Sequence, residues 1–228
     1  MIRPAEKQKI LMAWSSGKDS ALALDAVLAD ERLEVVSLLT TVTAEYDRVS
    51  MHGVREELLD MQADALGLPL CKVTIRPDAS NDDYESRMAA ALDPFCRQGV
   101  SAVAFGDVFL ADVRKYREEK LAKAHLRGIF PIWRQDTAAL ARRFVGQGFK
   151  AVVTCVDTQQ LGADFAGRDF DEGFLAELPA GVDPCGENGE FHTFVHDGPV
   201  FRRPLRVSRG DIVMRQERFC YCDLIPEP

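Results

Sequence analysis

A short apolar run, Ile10-Leu11-Met12-Ala13-Trp14, meets a small polar turn, Ser15-Ser16-Gly17-Lys18-Asp19-Ser20, which leads into an alanine- and leucine-rich stretch over residues 21–29. That order reads strand, tight turn, helix. A strand that feeds directly into a helix begins a β–α unit, and repeated units of this kind build parallel sheets. The turn has chemical content as well. A helix N-terminus presents free backbone N–H groups and a partial positive charge, so it can hold an anion. The hydroxyls of Ser15, Ser16 and Ser20 add donors, and Lys18 adds a point charge. Gly17 keeps the turn small. Such a turn suits a phosphate or pyrophosphate; a plain strand-to-helix turn with a serine cap is the alternative reading.

Two common phosphate motifs are excluded. A Walker loop needs a glycine where Met12 stands and Ser or Thr where Asp19 follows the lysine. A dinucleotide fingerprint needs three spaced glycines, and only Gly17 is present. The hexapeptide instead resembles the Ser-Gly-Gly-x-Asp-Ser signature of the PP-loop ATP pyrophosphatases, which cleave ATP between the α- and β-phosphates. It departs at Ser16, where that family usually has glycine. If the position needs positive φ, serine costs about 1–2 kcal/mol there.

The remaining signals predict more β–α units. Residues 33–40 read as a second strand. Val54, Leu58, Met61 and Ala65 recur at helical spacing, with Gly67 and Pro69 as stop signals. Residues 70–75 read as a strand, 84–97 as a helix entered through Ser80-Asn81-Asp82-Asp83, and 101–105 as a strand. Residues 112–127 read as a charged helix with Gly128 as its cap. Residues 130–133 read as a strand, 137–144 as a helix and 150–156 as the last strong strand of this half. Parallel strands with helices on both faces follow. Ligands in such sheets bind at the carboxyl ends of the strands, where residues 15–20, Thr40-Thr41, Gly106-Asp107 and residues 154–157 are all predicted to lie. Beyond residue 157 the texture changes to short β-like runs at 191–195, 200–202, 205–207, 212–215 and 219–224, broken by turns such as His196-Asp197-Gly198-Pro199. The expected division is a nucleotide-binding part over 1–157 and a smaller, mostly antiparallel substrate part over 158–228.

The chain has 228 residues, 46% of them hydrophobic, enough for a substantial core. Its net charge of −8 does not favour wholesale nucleic-acid binding through a basic surface. No apolar run approaches the ~20 residues of a membrane span, and the polar N-terminus lacks a signal-peptide core, so a cytoplasmic location is expected. The six cysteines, Cys71, Cys96, Cys155, Cys185, Cys220 and Cys222, contain no C-x-x-C. Cys71 and Cys155 read as packing residues. Cys220 and Cys222 would share one face of a strand.

Other constellations carry chemistry. Gly106-Asp107 follows a strand and precedes the charged helix; glycine there would let a ligand approach the backbone, and Asp107 could orient Mg2+ or an amine, or simply cap the helix. Tyr116 and Arg117 sit in a charge run that otherwise reads as a solvated face. His52, in Ser50-Met51-His52-Gly53-Val54-Arg55, could contact substrate or only open a helix. The densest set is Cys185-Gly186-Glu187-Asn188-Gly189-Glu190-Phe191-His192-Thr193, where Glu190 and His192 would share a strand face with Phe191 opposite.

Taken together, these segments resemble the diphthine–ammonia ligase branch of the PP-loop ATPases. The resemblance rests on residues 15–20 and 50–55, on Gly106-Asp107 with Tyr116-Arg117-Glu118-Glu119, on Pro131-Ile132-Trp133 and on residues 186–191. It implies a Rossmann-like (HUP-type) α/β nucleotide domain. It also implies a reaction in which ATP adenylates a carboxylate and ammonia displaces AMP. Ser15, Ser16, Gly17, Lys18 and Ser20 would hold phosphate, Asp19 would help hold Mg2+, and Thr40 and Gly106 would lie against the nucleotide. Lys18, Asp107, Glu187 and Glu190 would serve the chemistry. His52, Tyr116, Arg117, Asn188 and His192 would meet the substrate. The implied partners are a carboxylate-bearing protein or small molecule and free ammonia, with a homodimer left open. A tRNA-thiolating PP-loop enzyme and a nucleotide-binding module without turnover are the competing readings.

Overall fold

A computed structural model describes residues 6–43, 48–49 and 54–227. The elements run β1 (Gln8–Ala13), α1 (Lys18–Leu28), β2 (Leu33–Thr43), β3 (Arg48–Val49), α2 (Glu56–Leu66), β4 (Leu70–Ile75), α3 (Asn81–Arg97), β5 (Ala102–Ala104) and α4 (Ala111–Lys123). They continue with β6 (Arg127–Ile129), α5 (Thr137–Gly146), β7 (Lys150–Asp157), α6 (Glu172–Glu177), β8 (Phe191–Asp197), β9 (Val207–Arg215) and β10 (Phe219–Pro226).

Five strands form the expected parallel sheet in the order β4-β2-β1-β5-β6, and β3 adds a short antiparallel pairing at the end of β2. The alternation of β1 explains its central place. Ile10 and Met12 enter one core with α1 and α2, while Leu11 enters a second core with Val103, Leu92 of α3 and Leu121 of α4. With both faces covered, a strand must be apolar throughout, which is how residues 10–14 read. Helix α1 buries Ala21, Leu22, Leu24 and Val27 almost completely, so the turn before it is anchored by the core beneath. Gly67 ends α2 in the left-handed region at φ 67°, and Ser80 caps α3 by accepting from Asp83 N at 3.1 Å.

Three local expectations are corrected. Helix α4 stops at Lys123, and His125 takes the left-handed conformation (φ 57°) expected of Gly128. Gly128 lies inside β6, where a Cβ would meet the Phe130 ring at 2.6 Å. The strand expected over 130–133 is instead a turn; Pro131 has no N–H to give a ladder. The larger correction concerns residues 150–156. Strand β7 leaves the parallel sheet and lies inside a second, antiparallel sheet, β8-β7-β10-β9. Residues 154–157 are therefore not at a carboxyl edge of the first sheet, and Asp157 is instead paired with Arg218 at 2.6 Å. The runs at 200–202 and 205–207 form no separate strands; only Val207 joins β9.

The two sheets share one apolar core, which runs from Ile10, Met12 and Leu22 to Val153, Phe174 and Phe194. Among the described residues no helix is long and apolar enough to cross a membrane. The cysteines are free, and Cys220 and Cys222 are both buried on one face of β10.

Candidate active site

The carboxyl ends of β1, β2 and β5 open into a cavity of about 690 Å3. Ser15, Gly17, Lys18, Asp19 and Ser20 line it from the first turn, Thr40 and Thr41 from β2, and Gly106 and Asp107 from the end of β5. Tyr116 and Arg117 reach it from α4. Glu187, Asn188 and His192 reach it from the loop before β8 and from β8 itself. Segments about 170 residues apart thus meet, as the Lys18 N–H donating to Thr193 Oγ1 at 3.1 Å shows. His52 lies outside the described residues.

The turn is built with strain. Ser16 sits at φ 70°, so the left-handed conformation anticipated for a glycine at this position is real. Its Oγ is buried without a hydrogen-bond partner and does not line the cavity. What holds Ser16 there is its carbonyl, which accepts from Val195 N at 2.9 Å and from Gln62 Nε2 at 3.1 Å. Gln62 is fully buried, and its amide also donates to Val195 O and accepts from Trp14 Nε1 at 2.8 Å. One side chain of α2 therefore ties the end of β1, the turn and β8 together. Gly106 has a similar role. A Cβ there would lie 2.7–2.8 Å from the backbone of Asp19 and Ser20, so the glycine lets β5 close onto the turn. The backbone it meets belongs to this chain.

The N-cap of α1, Gly17, has no side chain to offer, and Thr193 Oγ1 takes the Lys18 N–H. Ser15 Oγ donates to Ser20 Oγ at 3.2 Å, and Ser20 Oγ donates to Gly17 O at 2.8 Å. Lys18 is folded inward. It is 2% exposed, donates to Asp19 Oδ2 at 2.8 Å and to Cys185 O, and lies 5.4 Å from the Phe191 ring centre. Burial is the largest single influence and works against its charge, but Asp19, Cys185 and Glu187 together outweigh it and hold Lys18 above its ordinary range.

Asp19 lines the cavity, and its Oδ1, a hard oxygen donor, is buried with no hydrogen-bond partner. Asp107 pairs with Arg117, whose Nη2 donates to Oδ1 at 3.1 Å and whose guanidinium stacks on Phe105 at 4.5 Å. Glu187 accepts weakly from Val108 N at 3.4 Å. Burial, then the charge of Asp19, push its carboxyl up to about 7. His192 is moved the other way, to about 4, by burial and then by the Lys18 charge, so its imidazole is neutral near pH 7.

The structure does not bring Glu190 to the cavity. It is 2% exposed, and its two oxygens accept from Asp183 N, Asn188 N and Asn188 Nδ2, each at 2.9 Å. It shapes the loop that presents Glu187. Sequence reasoning also missed Gln62, which could have been found: it stands between Leu58 and Leu66 at i, i+4 spacing, a polar residue in an apolar stripe. Thr193 closes the densest motif, but its contact with the Lys18 N–H carries no signal in the sequence.

Comparison with known proteins agrees with this geometry. A family model described as the diphthamide synthase N-terminal domain matches residues 8–126, and one described as the diphthamide synthase C-terminal domain matches residues 136–224. A diphthine–ammonia ligase of Danio rerio is 27% identical over 89% of this chain and 88% of its own length. That of Homo sapiens is 26% identical over 88% and 83%. One from Schizosaccharomyces pombe is 23% identical over 93% of this chain and 38% of its own length. With both halves matched in order and the phosphate turn facing the Glu187 loop, the chain belongs to the diphthamide synthase family.

Proposed function

We propose that this chain is an ATP-dependent amide ligase that adenylates a carboxylate and amidates it with ammonia, releasing AMP and pyrophosphate. One observation carries the reading: a phosphate-sized turn at a helix N-terminus and a carboxylic acid poised near neutrality line the same cavity. The names of the relatives point to diphthine on a protein and ammonia as the substrates.

In the first step an acceptor carboxylate oxygen attacks the α-phosphorus of ATP, and the bond to the bridging oxygen breaks. The leaving pyrophosphate gathers charge against the N-terminus of α1 and the hydroxyls of Ser15 and Ser20, which are fixed before it forms. Lys18, buried and ion-paired, acts here through its field and through the position of Asp19 rather than as a direct phosphate ligand. Thr40 and Thr41 flank the nucleotide, and Gly106 keeps the turn tight. One donor suits Mg2+: Asp19 Oδ1 is a hard carboxylate oxygen with no hydrogen-bond partner. Bound there, the ion would neutralise phosphate charge.

In the second step ammonia attacks the acyl carbon, the C–N bond forms, the C–O bond to phosphate breaks, and AMP leaves. The surplus proton passes to Glu187, whose value near 7 suits a general base at neutral pH, whereas His192 is too acidic and serves as a neutral hydrogen-bonding partner. Asn188, Tyr116 and the Asp107–Arg117 pair border the space left for the acceptor. Sulfur transfer fits less well, since burial pushes the Cys155 thiol up to about 11 and the Cys185 thiol up to about 12. The test is incubation with ATP, ammonium and a diphthine-bearing peptide or other carboxylates. Equal amounts of AMP, pyrophosphate and amide are expected; release of ADP, or no turnover in any mixture, contradicts the proposal.

A further inference from the structure

Strand β9 is the outer strand of the antiparallel sheet, and among the described residues no strand pairs with its far side. Near its start, Arg209 Nη2 donates to Asp169 at 2.5 Å and Nε to Gly167 O, which ties Arg209 to the loop before α6. A register shift in β10 between Cys222 and Leu224 then separates this part from residues 211–215. Past the shift the edge is open and apolar: Ile212 is 59% exposed, Met214 49% and Val213 41%. Ile212 and Met214 pair with Cys222 and Cys220, which are 4% and 3% exposed. Both side chains thus share the sheet face of Cys220 and Cys222, yet on this outer strand they remain about half exposed. An open, apolar edge strand is a template for another strand.

We propose that a second copy of this chain adds to this edge, β9 against β9, about a two-fold axis at Val213, giving one continuous eight-stranded sheet. The sequence selects this occupant and register. In an antiparallel pair centred on Val213, Ile212 of each copy faces Met214 of the other, and Asp211 of each faces Arg215 of the other. Two opposite-charge pairs and two apolar pairs form at once, as an isologous contact requires. Neither Asp211 nor Arg215 has an ion-pair partner among the described residues, so both charges are available. Centring the pair on Ile212 would instead set Arg209 against Arg215. The contact lies away from the cavity and does not depend on the proposed reaction.

Sedimentation velocity of the full chain over a concentration series tests this. The wild type forms a concentration-dependent dimer. D211R places arginine opposite arginine twice and weakens the dimer about tenfold, and R215D does the same with aspartates. Mixing D211R with R215D restores a dimer, seen as the mixed species by native mass spectrometry, because every facing pair is then of opposite charge. A wild type that stays monomeric at all concentrations overturns the proposal, as does a dimer indifferent to both variants or a mixture that forms no mixed species. Both positions are exposed, and a circular dichroism spectrum and melting temperature like those of the wild type show that each variant keeps its fold.

Discussion

Replacing Gln62 with leucine removes a single buried amide that three parts of the site share. Trp14 Nε1 would lose its acceptor and Val195 O the Gln62 donor, both inside the core, whereas Ser16 O would keep the Val195 N–H at 2.9 Å. Each buried group left without a partner costs about 1–3 kcal/mol, and the extra apolar burial of leucine returns part of this. The Gln62→Leu variant is therefore expected to lose about 3 kcal/mol in urea unfolding, with an unchanged m-value. The functional effect is separate. With one of its two hydrogen bonds gone, the Ser16 carbonyl no longer fixes the strained turn, and ATP should bind more weakly while the acceptor binds as before. Gln62→Glu keeps an acceptor for Trp14 and, protonated in this buried place, has one O–H to give where the amide gave two N–H bonds, so it should weaken ATP in the same direction but less. A leucine variant within about 0.5 kcal/mol of wild type, with unchanged ATP affinity, would refute the reasoning.

Ser16→Gly removes left-handed strain and a buried unpartnered hydroxyl at the cost of a more flexible unfolded chain, so the protein should gain about 1 kcal/mol and melt higher without losing ATP binding. Glu187, with a folded value near 7 against an ordinary 4.5, contributes stability that is present below pH 4.5 and lost as pH rises through 7; Glu187→Gln should flatten that part of the stability–pH curve relative to wild type and abolish amide formation. Glu190→Gln places an amide where three N–H donors converge, so it should cost about 2 kcal/mol and slow turnover through the loop, with ATP affinity little changed.

The legible parts of the fold were those with local causes. Residues 10–29 announced a strand, a polar turn and a helix, and Gly67 and Ser80 marked helix ends because backbone conformation and capping act over a few residues. The sheet membership of β7 was not legible. A continuous apolar strand reads the same whether its neighbours are parallel or antiparallel, and only its pairing with β8 and β10 decides. Gly128 misled for a related reason: it is a glycine for want of room beside Phe130, not for left-handed freedom. At the site, residue types chosen from the sequence gather as expected around the turn, but direction was hidden. Lys18 turns inward because Asp19, Cys185 O and Phe191 offer its ammonium more than the open cavity does. Glu190 turns away because three loop N–H groups need an acceptor.

The decisive measurement is a crystal structure with the uncleavable analogue α,β-methylene-ATP and Mg2+. The β- and γ-phosphates are expected against the N-terminus of α1 and the hydroxyls of Ser15 and Ser20, with the α-phosphate turned toward Glu187. Analogue bound anywhere else, or a cavity that takes up none at saturating concentration, would contradict it.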